Sequence, residues 1–157
     1  ENTNRGIEMI VDLGCGSWCR GEIGIDKQFN YPPVTKHLDD IIGLTKREDA
    51  KLIVSDLNQG ISLNGEVQGA TFLLIHVLES LDNPFTTLRE IARFNPKKVI
   101  IVVPNAQQNL ADWYDETHLY SFTEASIRQL VSRVFKVKAV KLIVRNQDIA
   151  IVAESKC

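Results

Sequence analysis

Cysteine, proline, methionine and aromatic side chains are all scarce in this chain: its 157 residues include 3 Cys, 5 Pro and 1 Met, and 7% are aromatic. Cys15, Cys19 and Cys157 make neither an even disulfide framework nor a zinc ligand set, because no second Cys or His pair stands at metal-like spacing. The sequence therefore predicts a reduced, cytoplasmic protein without a metal, with Cys15 acting as a small apolar filler in its turn. Long apolar runs are missing as well. None approaches the roughly 20 residues of a membrane span, and the polar stretch from Glu1 to Glu8 lacks the apolar centre of a signal peptide. Neither membrane insertion nor export is expected. Repeats and low-complexity tracts are absent. Nor is either charge in excess: Lys+Arg 18 against Asp+Glu 20 leaves a formal net charge of -2. The densest basic group, Lys136, Lys138 and Lys141, has the spacing of a solvated strand face, so nothing global calls for a polyanionic partner.

What is present is the composition of a water-soluble fold, 44% hydrophobic and 24% charged. A domain of this size hides about two-thirds of the surface its unfolded chain exposes. One domain over residues 1–157 is expected, with no room for a second. Short apolar strands alternate with amphipathic helices, which implies a parallel sheet. Strands are predicted over Glu8 to Leu13, Glu22 to Asp26, Lys51 to Asp56, Ala70 to Val77 and Val99 to Val103, the first two separated only by a loop. Between Phe29 and Ala50 the pattern is thin: Tyr31-Pro32-Pro33 is a turn or extended segment, and Leu38, Ile41 and Ile42 suggest one short helix with a charged tail. The run Phe72, Leu73, Leu74, Ile75 is apolar on both faces, as a central parallel strand requires. Asn83 caps a helix with Pro84 at its first position and Phe85, Leu88, Ile91 and Ala92 as its buried stripe; Asn95-Pro96 stops it. Thr123 caps another, in which Ile127, Leu130, Val131 and Val134 share a face. The last two strands, Lys138 to Val144 and Ile149 to Glu154, are joined by a polar turn too short for a parallel crossover, so they pair antiparallel. The expected fold is α/β: a doubly wound Rossmann-like, mostly parallel sheet ending in an antiparallel hairpin.

In such sheets ligands bind beyond the carboxyl ends of the strands, where strand order reverses. The polar residues there are Asp12 to Arg20, Asp26, Asp56 to Asn58, His76 to Glu79 and Pro104-Asn105. Val11-Asp12-Leu13-Gly14-Cys15-Gly16 puts two glycines on the turn after the first strand, where the backbone can pass close to a ligand. The third glycine of a dinucleotide fingerprint is replaced by Cys19, and no proper helix fits before Glu22, so a pyrophosphate site is not expected. Asp26 ends the second strand where a ribose diol would lie and can accept two hydrogen bonds from it. Asp12 adds negative charge beside the glycine turn, which suits a cationic ligand such as a sulfonium amino acid.

These residues resemble the first motif of class I S-adenosylmethionine-dependent methyltransferases: Val11 to Gly16 together with Arg20-Gly21-Glu22-Ile23-Gly24-Ile25-Asp26. Ser55-Asp56-Leu57-Asn58-Gln59 is similar to the adenine-side segment of a small, type 11-like subgroup with a shortened first loop. His76-Val77-Leu78-Glu79-Ser80-Leu81-Asp82-Asn83-Pro84 resembles its motif after strand four, and Asp115-Glu116-Thr117-His118 with Phe122-Thr123 also has its look. The resemblance implies that S-adenosyl-L-methionine is the cofactor. Its methionine part would lie against Gly14, Cys15 and Gly16, beside Asp12 and the loop residues Ser17, Trp18 and Arg20. Asp26, followed by Lys27, would bind the ribose; Asp56 and Leu57 would lie by the adenine, and His76 near the methyl group. Two departures stand out. Trp18-Cys19 occupies a loop usually smaller and richer in Gly or Pro, and Ser80 stands where the family often has His.

Methyl transfer is an in-line displacement in which alignment supplies more of the rate than proton transfer does. If a base is needed, His76 and His118 are the candidate catalytic residues. Each functional residue also has a plain structural alternative. Asp12, Asp26, Asp56 and Asn58 are ordinary loop and turn formers, His76 suits a buried core position, and Glu79 can open the loop before the helix. The segment from Asp112 to His118 serves either as a substrate lid or as a cap on the next helix. The acceptor stays open among a small molecule, a sugar, a lipid, a protein and a structured RNA. Its recognition is expected from Phe29 to Ala50 and Ala106 to Tyr120, or from a second subunit or homo-oligomer. A non-catalytic partner-binding module, and an NAD-dependent oxidoreductase, are the competing readings.

Overall fold

The computed structural model describes residues 9–14, 23–26, 51–54, 56–63 and 65–156. The expected short helix between residues 29 and 50, and the loop joining the first two strands, lie outside the described residues. Seven strands form one sheet: β1 (Ile10–Leu13), β2 (Ile23–Asp26), β3 (Lys51–Val54), β4 (Thr71–Ile75), β5 (Lys98–Pro104), β6 (Lys136–Ile143) and β7 (Asp148–Glu154), in the spatial order β3-β2-β1-β4-β5-β7-β6. The first five are parallel, and β7 runs antiparallel to both of its neighbours. β4 lies between β1 and β5, as its apolar run predicts, with Phe72 and Leu74 fully buried. Ile75, expected to be buried, is 46% exposed because it stands at the carboxyl edge, where the sheet opens towards the site.

The hairpin is as expected, and its inner arm is β7. Along β7, Ile149, Ile151 and Ala153 are completely buried, whereas β6 exposes Lys136, Lys138 and Lys141. The apolar arm gains both neighbours, and the lysine-bearing arm guards the sheet edge against further pairing. β3 ends at Val54, short of the expected Asp56, because the Asp56 carboxylate instead accepts the Asn58 N–H at 2.9 Å and caps a short 3-10 turn over Leu57–Gln59.

Among the described residues two helices connect the strands: α1 (Pro84–Ala92) between β4 and β5, and α2 (Glu124–Ser132) between β5 and β6. The Asn83 side chain accepts the Thr86 N–H at 3.1 Å, and Pro84 opens α1. Leu88 and Ile91 of the predicted stripe are fully buried, joined by Pro84 and Thr87, while Ala92 is half-buried against the core. Phe85 is half-buried, with the Arg89 guanidinium 6.0 Å from its ring centre. The helix ends at Arg93, two residues before Asn95, which takes a left-handed φ of 44°. Thr123 and Ser126 form a reciprocal capping box on α2, and Ile127 and Val131 are fully buried. Each such burial contributes about 1.5–3 kcal/mol, so these residues hold the helix to the sheet more firmly than its caps do.

The chain steps outward from β1 to β2 and β3, then returns to lay β4 on the other side of β1. At this reversal the turn after β1 presses on the loop after β4. Gly14 has φ 74°, and a Cβ there would come within 2.5 Å of Val77 Cγ2. Gly14→Ala is expected to lower stability by about 2–5 kcal/mol, combining the left-handed penalty with overpacking. In a Val77→Ala background the overpacking part should disappear, leaving a coupling of at least ~1 kcal/mol in a urea double-mutant cycle. Additive effects would contradict the close approach.

Candidate functional site

Because β1 to β5 are parallel, their carboxyl ends line one edge of the sheet. Asp12 is half-buried in β1, opposite Gly24 and Leu73 and two residues before the Gly14 turn. Asp26 closes β2 in register with Val54, so it comes to the same edge as Asp56. Asp56 binds Asn58 through one carboxylate oxygen, and a carboxylate has further acceptor capacity for a ligand amino group. Leu57 as a whole is 2% exposed and part of the hydrophobic core, so it packs behind Asp56 and is not open at the edge. Cys15, Gly16, Ser17, Trp18, Arg20 and Lys27 lie outside the described residues.

His76 follows β4 directly. Its N–H donates to the Val102 carbonyl at 2.9 Å, prolonging the sheet by one bond, while its φ of 53° turns the chain sharply away. A left-handed histidine costs about 1–2 kcal/mol relative to a relaxed backbone. Its side chain is 45% exposed, which removes the core-histidine alternative. Nδ1 stands 3.8 Å from Glu79 Oε1 and Nε2 3.6 Å from Asp148 Oδ2. The imidazole is thus flanked by two carboxylates and open to solvent.

Glu79 does not open a polar loop. It lies in the 3-10 turn Leu78–Ser80 at 1% exposure, between the fully buried Leu78 and Leu81. Its carbonyl accepts the N–H groups of Leu119 and Tyr120 at 2.7 and 2.9 Å. Its Oε1 is also 3.8 Å from His118 Nε2. His118 is only 14% exposed, with Nδ1 2.7 Å from Asp112 Oδ1 and Nε2 3.4 Å from Asp115 Oδ2. A carboxylate only accepts, so the short bond makes Nδ1 the protonated nitrogen facing Asp112. Asp112 is itself buried. The two candidate histidines therefore differ: His76 is accessible, and His118 is locked.

The segment carrying Asp112 and His118 is tied down at its base and exposes several apolar side chains. The short 3-10 helix Leu110–Tyr114 is pinned by the Trp113 indole N–H, which donates to the Ala106 carbonyl at 2.9 Å. Leu110, Trp113, Tyr114 and Leu119 remain exposed around it. Thr123, not this segment, caps α2. Sequence reasoning named Asp112 and Tyr120 only as parts of the Ala106 to Tyr120 segment, without their partners, and missed Asp148 altogether. An acid six positions before a histidine, or one across the sheet, carries no local signal; only the fold brings them together. Among the described residues no His, Cys, Asp or Glu group is arranged to hold a metal ion.

No family model and no curated protein sequence matches the chain. Solved structures do resemble it. A chain from the complex between the Haloferax volcanii Trm112 methyltransferase activator and a methyltransferase superposes with a TM-score of 0.75 at 14% identity, covering 96% of this chain and 84% of that one. The S-adenosylmethionine-dependent methyltransferase from Mesorhizobium loti gives 0.68 at 14% identity, over 93% of this chain and 90% of its own. A pericyclic reaction enzyme gives 0.72 at 14% identity, over 99% of this chain and 45% of its own, so one scaffold carries more than one chemistry. The chain has the α/β fold of S-adenosylmethionine-dependent methyltransferases, a doubly wound Rossmann-like, mostly parallel sheet ending in an antiparallel hairpin.

Proposed function

We propose that the chain is an enzyme that transfers a methyl group from S-adenosyl-L-methionine to a nucleophilic acceptor. The observation that carries this reading is the Gly14 turn, set against Val77 where strand order reverses, with Asp12, Asp26 and Asp56 spread along the same carboxyl edge. The donor chemistry fits: acids suit an amino group, a sulfonium, a ribose diol and an adenine amino group, and they disfavour a pyrophosphate. When bound, S-adenosylmethionine supplies a methyl group already activated on a positively charged sulfur.

The work of the chain is then to hold and align. Gly14, Cys15 and Gly16 would back the methionine part, with Ser17, Trp18 and Arg20 as further cofactor-binding residues that the family resemblance implies. Asp26, followed by Lys27, would hold the ribose end, and Asp56, with Leu57 packed behind it, would lie by the adenine. His76 is the residue to accept a proton from the acceptor, being accessible and flanked by Asp148 and Glu79. His118 serves by position instead, since Asp112 holds its ring. Acceptor recognition falls to the exposed Trp113 and Tyr114. Among the described residues no helix is long and apolar enough to cross a membrane. A second subunit, or a second copy, is a further source of acceptor contacts; the H. volcanii neighbour, solved in complex with an activator, supports looking for one.

Calorimetric titration tests the cofactor. S-adenosylmethionine and S-adenosylhomocysteine should bind saturably and NAD should not. Asp26→Ala should weaken binding roughly 10- to 100-fold, the loss of hydrogen bonds to a charged group. A folded protein that takes up neither ligand at millimolar concentration refutes the proposal. At His76, backbone strain and chemistry are separable. His76→Gly should be more stable than His76→Ala by about 1–2 kcal/mol in urea, since only glycine relieves the left-handed φ. Both should lose roughly 10²- to 10⁴-fold in methylation of an acceptor that must give up a proton.

A further inference from the structure

The loop from His76 to Asp82 is held from two directions. On the cofactor side, Val77 fills the space against Gly14. The Asp82 N–H donates to Asn58 Oδ1 at 2.9 Å, and Asn58 is in turn held by Asp56 Oδ1. On the acceptor side, the Leu119 and Tyr120 N–H groups converge on the Glu79 carbonyl, and the Tyr120 hydroxyl donates to the Asp82 carbonyl at 2.9 Å. His118 stands over the Glu79 carboxylate, braced by Asp112. Asp82 is the joint, because its N–H faces the adenine-side turn and its carbonyl faces Tyr120. Between these contacts Val77, Leu78 and Leu81 are buried at 1%, 0% and 0%, in a close-packed interior that passes displacement on instead of absorbing it, while Asp82 makes its two bonds at the surface.

We infer that this loop couples the acceptor-side segment to the cofactor site, with Tyr120 and His118 as positioning residues that act on cofactor binding through Asp82 and Glu79. The inference rests on the cofactor reading proposed above. If the Tyr120 bond holds Asp82 where Asn58 needs it, the hydroxyl contributes to cofactor affinity from a place that faces Asp82, not the ligand. Coupling is reciprocal, so the cofactor must in turn steady Leu119 and Tyr120.

The experiment is hydrogen exchange on the full chain, with and without saturating S-adenosylhomocysteine, alongside calorimetry on the wild type and Tyr120→Phe. The expected result is that the Leu119 and Tyr120 amides exchange about fivefold more slowly with ligand, and that Tyr120→Phe binds about fivefold more weakly and loses this slowing. His118→Gln should weaken binding in the same direction. Affinities are read well below each variant's unfolding midpoint, where a purely structural bond would leave them unchanged. If the wild type binds the ligand but the two amides are unaffected, or Tyr120→Phe binds as tightly as the wild type, the coupling is overturned. A wild type that binds no S-adenosylhomocysteine gives a blank titration instead, and that outcome removes the cofactor reading and the coupling together.

Discussion

The site depends on the contact between Gly14 and Val77. Strand order reverses between β1 and β4, so the two chains leaving those strands must separate within a residue or two, and each needs an unusual backbone to do so. Gly14 supplies one with φ 74°, and the absent Cβ is what lets Val77 lie against it. His76 supplies the other with φ 53°, a conformation that costs a histidine energy. The cost is offset locally: the His76 N–H is held by Val102, and the following Val77 and Leu78 are buried. Strained, exposed positions recur at functional sites, which is one reason His76 is the residue proposed above to take the proton.

Around that contact the carboxyl edge is built mainly from acids. Asp12, Asp26 and Asp56 belong to one half; Glu79, Asp112, Asp115 and Asp148 gather round the two histidines in the other. Burying carboxylates is expensive unless something meets them. His118 meets Asp112 at 2.7 Å and faces Glu79 and Asp115. Its ring thereby ties the Leu110–Tyr114 helix to the loop after β4, and the main-chain bonds to the Glu79 carbonyl reinforce the tie.

Much of the architecture was legible in the sequence. Helix starts at Asn83 and Thr123, the central place of Phe72 and Leu74, the terminal hairpin and the glycine turn after β1 are all local matters: periodicity, caps and turn residues act over a few positions and leave a mark in the string itself. The burial pattern of β6 and β7 was also there to read, since lysines on one arm and unbroken small and branched apolar residues on the other decide which arm is inside. What only the tertiary structure decided lies between residues far apart in the chain. It sent the Leu57 side chain into the core while leaving Asp56 at the edge, exposed Ile75, buried Glu79, and chose between two histidines that look alike in sequence by giving Asp112 to one and open solvent to the other. Those outcomes depend on which surfaces meet when the sheet closes, and a one-dimensional pattern carries near-neighbour preferences but not the distances between remote side chains.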